Sequence, residues 1–382
     1  MIIKNGLVYT EDYDFKPLTV TTKGDRIESI LNADASVNED GSEVFDATDC
    51  YVLPGLTDVH FHGCAGQDFC NGTREAFDTI AAYEFSQGVT TICPATMTLS
   101  ADTLSSILKG AAAYAKSQKQ ADAPAKRSEL IGIHMEGPFI NVNKKGAQNA
   151  AFIQRPTAEA LRQWQKDAEG LVRLVSLAPE VEGAIDTIRE CNGEFRFSIA
   201  HTESDYDTAM KAFEAGADHA THLYNAMPPF THRAPGVIGA ASDTENCFVE
   251  LICDGVHIAP SVVRATFRLF GDDRMVLISD TMEATGMKDG TYSLGGLEVH
   301  VKGNRATLAD GTIAGSATNL YQCMCIAVSM GIPFEKAVRA ATINPCRSIG
   351  IDKDYGSIKE GKKAHFLVLN KKDLSIKAVI MC

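Results

Sequence analysis

Apolar runs of strand length recur along the middle of the chain, separated by stretches whose apolar residues repeat with a helical period. Strands are predicted at residues 51–59, 89–95, 130–136, 171–178, 195–201, 217–223, 247–253 and 275–280. Helices are predicted between them, for example at residues 73–87, 157–168, 204–215 and 260–270. Alternation of strand and helix predicts a parallel sheet, and eight repeats favour a closed (β/α)₈, TIM-like barrel over an open sheet.

Both ends of the chain show short strand patterns of a different kind. They lie at residues 7–9, 18–20, 27–31, 366–369 and 376–381. We expect these ends to pair into a small β-sandwich domain of residues 1–53 and 348–382, with the α/β barrel over residues 54–347. The Gly-rich, hairpin-like stretch 286–315 interrupts the alternation and predicts an insertion after the eighth strand.

Composition narrows the classes of partner. A hydrophobic fraction of 45% in 382 residues supports a large core. The net charge of −13 argues against a nucleic-acid partner, because phosphate backbones are bound by basic surfaces. It leaves room for a small anionic substrate, since a single Arg can hold a phosphate.

Cysteine usage and hydropathy indicate the compartment. No apolar stretch approaches the roughly 18 residues of a membrane span, and the first residues lack the apolar core of a signal peptide. The 11 cysteines are scattered, without a Cys-x-x-Cys pair. We therefore expect reduced thiols in a cytoplasmic protein that does not contact membranes.

The first barrel strand is followed by His60 and His62. Residues two apart on a strand point to one face, so these two imidazoles form half of a possible metal site. Taken alone, this pair also fits surface or core histidines.

Carboxylates follow the third and eighth strands. Glu136 comes directly after an apolar run, where a carboxylate is costly to bury unless it is paired or metal-bound. His134 lies one layer below it and is expected to pack, not to ligate. Asp280 ends the eighth strand and is a candidate general base or metal ligand.

The fifth and sixth strands end in His201 and His222. His219 lies three positions before His222, and an odd offset on a strand puts two residues on opposite faces, so we expect a structural role for His219. Imidazole and carboxylate without thiolate suit zinc, iron, manganese or nickel better than a structural zinc finger.

These strand ends carry strings that resemble the N-acetylglucosamine-6-phosphate deacetylase family of the amidohydrolase superfamily. The strings are His60-x-His62, His134-Met135-Glu136-Gly137-Pro138-Phe139, Ala200-His201-Thr202, Thr221-His222-Leu223-Tyr224-Asn225-Ala226-Met227, Asp254-Gly255-Val256-His257 and Ser279-Asp280. The resemblance extends over the barrel and both ends; the strings around Glu136 and His222 are the most specific.

The resemblance implies a metal-dependent site. Its ligands would be Glu136, His201, His222, His60, His62 and Asp280. Glu136, His201 and His222 would hold the metal that is common to the family. Because some members lack the His-x-His pair and keep one metal, the intact pair here implies a second metal bridged by Glu136. Zinc is the first expectation for these one or two divalent ions.

The resemblance also implies a reaction. Water activated by the metal would attack the acetyl carbonyl of N-acetylglucosamine 6-phosphate, yielding glucosamine 6-phosphate and acetate. Asp280 would act as acid and base, and His257 would lie over the scissile amide and stabilise the oxyanion.

The implied substrate contacts lie in several loops. They are Ala147, Gln148, Asn225, Ala226, Arg233, His257, Ile313, Ala314 and Gly315. Arg233 would bind the phosphate in the neighbouring subunit of a homodimer, although a lone loop Arg is usually a solvated charge. Gln148 replaces the His of many members and cannot carry its charge. Asn225 could instead cap a turn. Preference among the glucosamine, galactosamine and mannosamine derivatives stays open.

Two alternatives remain. One is another amidohydrolase, dihydroorotase-like or deaminase-like. Many such two-metal relatives bridge their metals with a carbamylated Lys, where this chain has Glu136. The other is a barrel that lost its chemistry and became a scaffold, which usually deletes ligands; none is missing here.

Overall fold

The structure is a computed structural model that describes residues 1–120 and 125–382. Its strands are β1 (Ile2–Tyr9), β2 (Phe15–Lys23), β3 (Arg26–Asn32), β4 (Val44–Asp46), β5 (Cys50–Pro54), β6 (Leu56–Asp58), β7 (Gly63–Cys64), β8 (Gln67–Asp68), β9 (Val89–Ile92), β10 (Ala95–Thr96), β11 (Glu129–Leu130), β12 (Ile133–Glu136), β13 (Val172–Leu177), β14 (Arg196–Ile199), β15 (His219–Ala220), β16 (Phe248–Ile252), β17 (Met275–Ile278), β18 (Gly290–Leu294), β19 (Leu297–Lys302), β20 (Arg305–Thr307), β21 (His365–Asn370) and β22 (Ile376–Met381).

The helices follow the predicted alternation. They are α1 (Arg74–Ser86), α2 (Ala101–Ser117), α3 (Ala158–Asp167), α4 (Ala184–Glu190), α5 (Tyr206–Ala215), α6 (Gly236–Asp243), α7 (Pro260–Phe270), α8 (Leu320–Ser329), α9 (Phe334–Ala341) and α10 (Ile343–Ser348), with short 3-10 turns at Phe69–Asn71, Val142–Lys144 and Ala150–Phe152. None of the helices in the described ranges is long and apolar enough to cross a membrane.

A curled parallel sheet forms the centre of the molecule. Strands β10, β12, β13, β14, β15, β16 and β17 pair in that order, and β6, β9 and β11 form a second group in which β9 lies between β6 and β11. The segments β9 and β10, and likewise β11 and β12, are successive parts of one barrel position. The backbone amide of Asp280 donates to the oxygen of His60 at 3.0 Å, which joins the eighth position to the first. The sheet is therefore a TIM-like barrel, as predicted.

Residues 51–59 form two strands in two different sheets, so the prediction of one strand here was wrong. Strand β5 belongs to the sheet of the chain ends and β6 to the barrel, with Gly55 between them. A Cβ on Gly55 would lie 2.1 Å from Thr90 Oγ1, so this crossing needs a residue without a side chain. The apolar run hid the change of sheet because both halves are buried.

Both chain ends contribute to one sheet, in the order β22-β21-β5-β1-β2-β3 with β4 beside β1. The expected sandwich of two sheets is thus not confirmed, and the proposed domain limits stay a prediction. In the expected insertion, β18, β19 and β20 form an antiparallel sheet whose Leu294 and Val299 pack with Met97 and Met282. The insertion thereby reaches the loops that follow the barrel strands.

Candidate active site

Four polar residues stand two positions beyond the end of a barrel strand. They are His60 after β6, His201 after β14, His222 after β15 and Asp280 after β17. Three of them have left-handed backbone, with φ of 44° at His201, 31° at His222 and 51° at Asp280. Such conformations are disfavoured for residues with a side chain and persist where the surrounding structure imposes them, often at functional sites.

Glu136, the last residue of β12, is the centre of a first group of possible ligands. Its Oε1 lies 3.0 Å from Nε2 of His201 and 3.0 Å from Nε2 of His222, and these two nitrogens are 3.1 Å apart. Nδ1 of His201 donates to the backbone oxygen of Lys144 at 2.8 Å. This hydrogen bond leaves the lone pair of His201 on Nε2, the atom that faces Glu136.

A second group of possible ligands lies around the same carboxylate. Nε2 of His62 is 3.2 Å from Glu136 Oε2 and 3.4 Å from Asp280 Oδ1. Nε2 of His60 is 3.5 Å from Glu136 Oε1 and 3.7 Å from Asp280 Oδ1. Glu136 therefore belongs to both groups.

The charges of the two groups compensate one another. Burial by itself would raise the pKa of Glu136, but the surrounding imidazoles hold it well below its usual range. Burial would likewise raise the pKa of Asp280, but His62 and His60 lower it. Burial by itself would lower the pKa of His62, but the neighbouring carboxylates of Asp280 and Glu136 raise it to about 10. The site thus keeps its carboxylates ionised by gathering positive charge around them.

This donor set fits one or two divalent cations. Glu136, His201 and His222 place ligand atoms within 4.8 Å of one another, and so do His60, His62 and Glu136. Nε2 of His60 is buried and has no hydrogen-bond partner within the described part of the chain. Buried imidazole and carboxylate, without thiolate, match the ligand types of zinc and related metals.

His134 lies below these groups with both ring nitrogens engaged. Nδ1 is 3.2 Å from the oxygen of Val59, and Nε2 is 2.7 Å from Ser176 Oγ. Burial lowers the pKa of His134 to about 3, which keeps the ring neutral. The residue is placed as a packed histidine, as the sequence predicted.

His257 approaches the site from the loop after β16. Its Nδ1 donates to Asp254 Oδ2 at 2.7 Å, and the same oxygen accepts from Ser316 Oγ at 3.1 Å. Burial alone would lower the pKa of His257, but Asp254 and the more distant Asp280 raise it. The ring is thereby fixed with Nε2 as its second polar atom.

A cavity of about 370 Å³ opens above the two groups. The predicted site residues that line it are His62, Glu136, Ala147, Gln148, His201, His222, Asn225, Ala226, His257, Asp280, Ile313 and Gly315. His60 is fully buried below the lining. Ala314 is also buried, and its amide donates to the oxygen of Ala306. Arg233 is exposed and does not line this cavity.

The sequence profile of the Amidohydrolase family matches residues 51–381. The chain belongs to this family. It is 32% identical to N-acetylglucosamine-6-phosphate deacetylase of Bacillus subtilis (strain 168), over 97% of this chain and 93% of that protein. It is also 32% identical to N-acetylgalactosamine-6-phosphate deacetylase of Escherichia coli O157:H7, over 84% of this chain and 83% of that protein.

Solved structures agree with the sequence relatives. The fold is similar to that of a mutant N-acetyl-D-glucosamine-6-phosphate deacetylase from Mycobacterium smegmatis in complex with N-acetyl-D-glucosamine-6-phosphate, with a TM-score of 0.90 and 31% identity over 100% of this chain and 97% of that one. The deacetylase from Pasteurella multocida gives a TM-score of 0.90 at 25% identity, over 100% and 97% of the two chains. The family resemblance stated from the sequence is confirmed.

Gln148 occupies an unexpected position in this amidohydrolase. Its Oε1 accepts from the backbone amide of Thr98 at 2.6 Å, which orients the carboxamide so that Nε2 donates to Glu136 Oε2 at 2.8 Å. The side chain is only 2% exposed, although it borders the cavity. Its polar atoms are therefore already engaged by the protein.

Several residues of this amidohydrolase site were not singled out by the sequence. The cavity is also lined by Met97, Asn143, Lys144, Gly146, Leu294 and Thr312. The carbonyl of Lys144 also accepts a hydrogen bond from Nδ1 of His201. Glu250 was missed as well; a carboxylate inside the otherwise apolar run 247–253 was the available signal.

Proposed function

We propose that this amidohydrolase hydrolyses the acetamide of N-acetylglucosamine 6-phosphate to glucosamine 6-phosphate and acetate. The observation that carries the proposal is the convergence of Glu136, His201 and His222 on the floor of a cavity that Asp280 and His257 also line. The substrate comes from the names of the relatives, whose likeness extends over most of the chain.

The cation would be held by Glu136, His201 and His222, and a second one by His60, His62 and Glu136. When bound, a divalent cation lowers the pKa of a coordinated water to about 7 and polarises the acyl oxygen. Zinc is the first candidate, with iron, manganese and nickel as alternatives.

Asp280 moves the proton in this proposal. Its ionised carboxylate accepts a proton from the attacking water and returns it to the sugar nitrogen as the C–N bond breaks. His257, held by Asp254, donates towards the oxygen that gains charge as the carbonyl becomes tetrahedral.

The sugar would lie against Ala147, Asn225, Ala226, Ile313 and Gly315, which line the cavity above the ligand groups. In this position Asn225 also donates its amide to the oxygen of His222 at 3.2 Å, so it shapes the turn as well.

The phosphate would be bound by Arg233 of a second protomer in a homodimer. Arg233 is exposed and absent from the lining of its own cavity, which leaves an intermolecular role open to it.

A second candidate substrate is N-acetylgalactosamine 6-phosphate. The Escherichia coli relative named for that sugar has the same 32% identity as the Bacillus subtilis relative. The two sugars differ at one hydroxyl group, whereas the acetamide chemistry is common to both.

The deciding experiment combines metal analysis with acetate release from the glucosamine, galactosamine and mannosamine derivatives. We expect bound divalent metal and the highest kcat/KM for N-acetylglucosamine 6-phosphate. A higher kcat/KM for the galactosamine derivative would make N-acetylgalactosamine 6-phosphate the substrate. Metal-loaded protein that releases acetate from none of the three would favour a dihydroorotase-like or deaminase-like activity.

Replacing Asp280 by Asn removes the proton acceptor and keeps the shape of the side chain. We expect kcat to fall by about 10²- to 10⁴-fold, the usual contribution of general acid–base catalysis. Metal content should be retained because Glu136, His201 and His222 remain. Asp34→Asn, at an exposed position, is the matched control. Near-normal turnover by Asp280→Asn would refute the assigned role.

A further inference from the structure

Glu250 is a carboxylate in the middle of β16, fully buried in the barrel interior below the candidate metal site. It does not line the cavity, so it cannot contact substrate there. Burying a carboxylate costs several kcal/mol unless hydrogen bonds and opposite charge compensate it. Its contacts show what the compensation is.

One oxygen of Glu250 accepts hydrogen bonds from residues of both ligand groups. Oε2 accepts from Nδ1 of His60 at 2.8 Å and from the backbone amide of His222 at 3.2 Å. The other oxygen lies 3.3 Å from Nε2 of His219. Strand β16 is thereby connected to the residues that follow β6 and β15.

The contact with His60 determines which ring nitrogen can bind a metal. Because Nδ1 carries the proton that is donated to Glu250, the lone pair is on Nε2, which faces Glu136 and Asp280. Histidine ligands of metals usually donate their second N–H to a carboxylate or carbonyl in this way. His201 obtains the same arrangement from the carbonyl of Lys144.

The contact with His222 acts on the backbone. His222 has a left-handed φ of 31°, which is disfavoured for a residue with a side chain. A hydrogen bond from its amide to a buried charge stabilises this turn and with it the direction of the imidazole.

We propose that Glu250 is a positioning residue of the metal centre: it fixes the ring of His60 directly and the turn at His222 through the main chain. The inference rests on the proposed metal-dependent hydrolysis. Since only the His60 contact involves the ligand's own ring, the group of His60, His62 and Glu136 depends on Glu250 more strongly than the group of Glu136, His201 and His222.

Two variants of Glu250 distinguish the effect of its hydrogen bonds from the effect of a buried side chain at this position. Glu250→Gln keeps an oxygen that can accept from His60, while Glu250→Leu removes every acceptor. Glu84→Gln and Glu84→Leu are the controls, because Glu84, on helix α1, is another fully buried carboxylate and has no hydrogen bond to the ligand groups. Circular dichroism and thermal unfolding would establish that each variant is folded.

The measurement is calorimetric titration of chelator-treated protein with Mn²⁺, supported by the visible spectrum of the Co²⁺-loaded form. Loss of a partner of this kind typically weakens metal affinity by about 10- to 100-fold. We expect that loss in Glu250→Leu, above all at the group of His60, His62 and Glu136, with a changed Co²⁺ spectrum, and a smaller loss in Glu250→Gln. Steady-state kinetics should show a lower kcat with little change in KM.

Wild-type affinity and spectrum in Glu250→Leu would overturn the inference while leaving the proposed function intact. An equal loss in the Glu84 variants would also overturn it, since the effect would then be general destabilisation. If Glu250→Leu does not fold, wild-type affinity in Glu250→Gln counts against the inference and a partial loss supports it. Failure of the wild-type protein to bind Mn²⁺ or Co²⁺ would refute both proposals.

Discussion

Glu136 presents its two oxygens to different partners. Oε1 lies near His201, His222 and, at 3.5 Å, His60, and Oε2 lies near His62 and the carboxamide of Gln148. A carboxylate held in this way can bind two cations, and its orientation determines the affinity for each of them. Gln148, which the family resemblance implied as a substrate contact, lines the cavity and is also placed to act through Glu136.

Replacing Gln148 by Leu removes both hydrogen bonds at similar volume. We expect weaker metal binding and a kcat that falls by about 10-fold, a typical consequence of losing a residue that orients a ligand. KM should change little, because both polar ends of Gln148 are engaged by Thr98 and Glu136. Metal titration and steady-state kinetics check this. A large rise in KM at unchanged metal affinity would instead show that the carboxamide binds the sugar.

At the scale of elements, four barrel strands place a site residue two positions beyond their last residue, and β12 places Glu136 at its last residue. The sequence indicated these positions, since polar residues directly after apolar runs stand out. It did not indicate the left-handed turns at His201, His222 and Asp280, because side-chain types alone do not predict such φ values. The turns result from the loops and neighbouring strands that enclose them.

Helix α1 buries a carboxylate that has no hydrogen-bond partner among the described residues. Its face that packs on the barrel includes Glu84, which is fully buried. Burial, together with the carboxyl of Asp58, raises the pKa of Glu84 to about 8 from its ordinary value of 4.5, and the nearby thiol of Cys64 opposes this only in part. Burial also raises the pKa of Asp58, to about 7. Glu84 is therefore protonated in the folded protein under conditions that ionise it in the unfolded chain.

This shift predicts a pH-dependent stability. Because the pKa of Glu84 is higher in the folded protein than in the unfolded chain, its protonation stabilises the fold. This stabilisation is fully present below about pH 4.5 and is lost as the pH rises through about 8. Glu84→Gln cannot ionise, so its Tm relative to wild type should improve by several degrees from about pH 5 to about pH 9. Glu75→Gln, at an exposed position on the same helix, is the control. A Tm difference that does not vary with pH would contradict the prediction.

At the scale of the whole molecule, β21 joins the sheet of the chain ends to the barrel. Its side chains alternate between two cores, as neighbouring residues of a strand must. Leu367 and Leu369 pack in the barrel core, while Phe366 and Val368 pack in the core of the terminal sheet. The two parts should therefore unfold together.

Leu367→Ala and Phe366→Ala test this coupling from the two faces of β21. Each should cost about 2–5 kcal/mol, the usual range for such truncations in a core, and lower the Tm. Calorimetry should show one transition in both variants, because the strand belongs to both cores. Lys377→Ala, on exposed β22 surface, should leave the Tm nearly unchanged. Two separate transitions would indicate that the terminal sheet unfolds independently.

Local pattern was sufficient to predict the barrel and the polar residues at the ends of its strands, whereas the substrate contacts and His257 were implied only by the family resemblance. The period of the apolar residues indicates which face of each element is packed, and the side chain itself determines which ligand it can be. Both can therefore be read from the sequence. The split between β5 and β6, the contact of Glu250 with His60 and the position of Gln148 were decided by tertiary structure. Each depends on which distant segments come together, and in a closed barrel that is settled only when the sheet curls and its first and last strands meet.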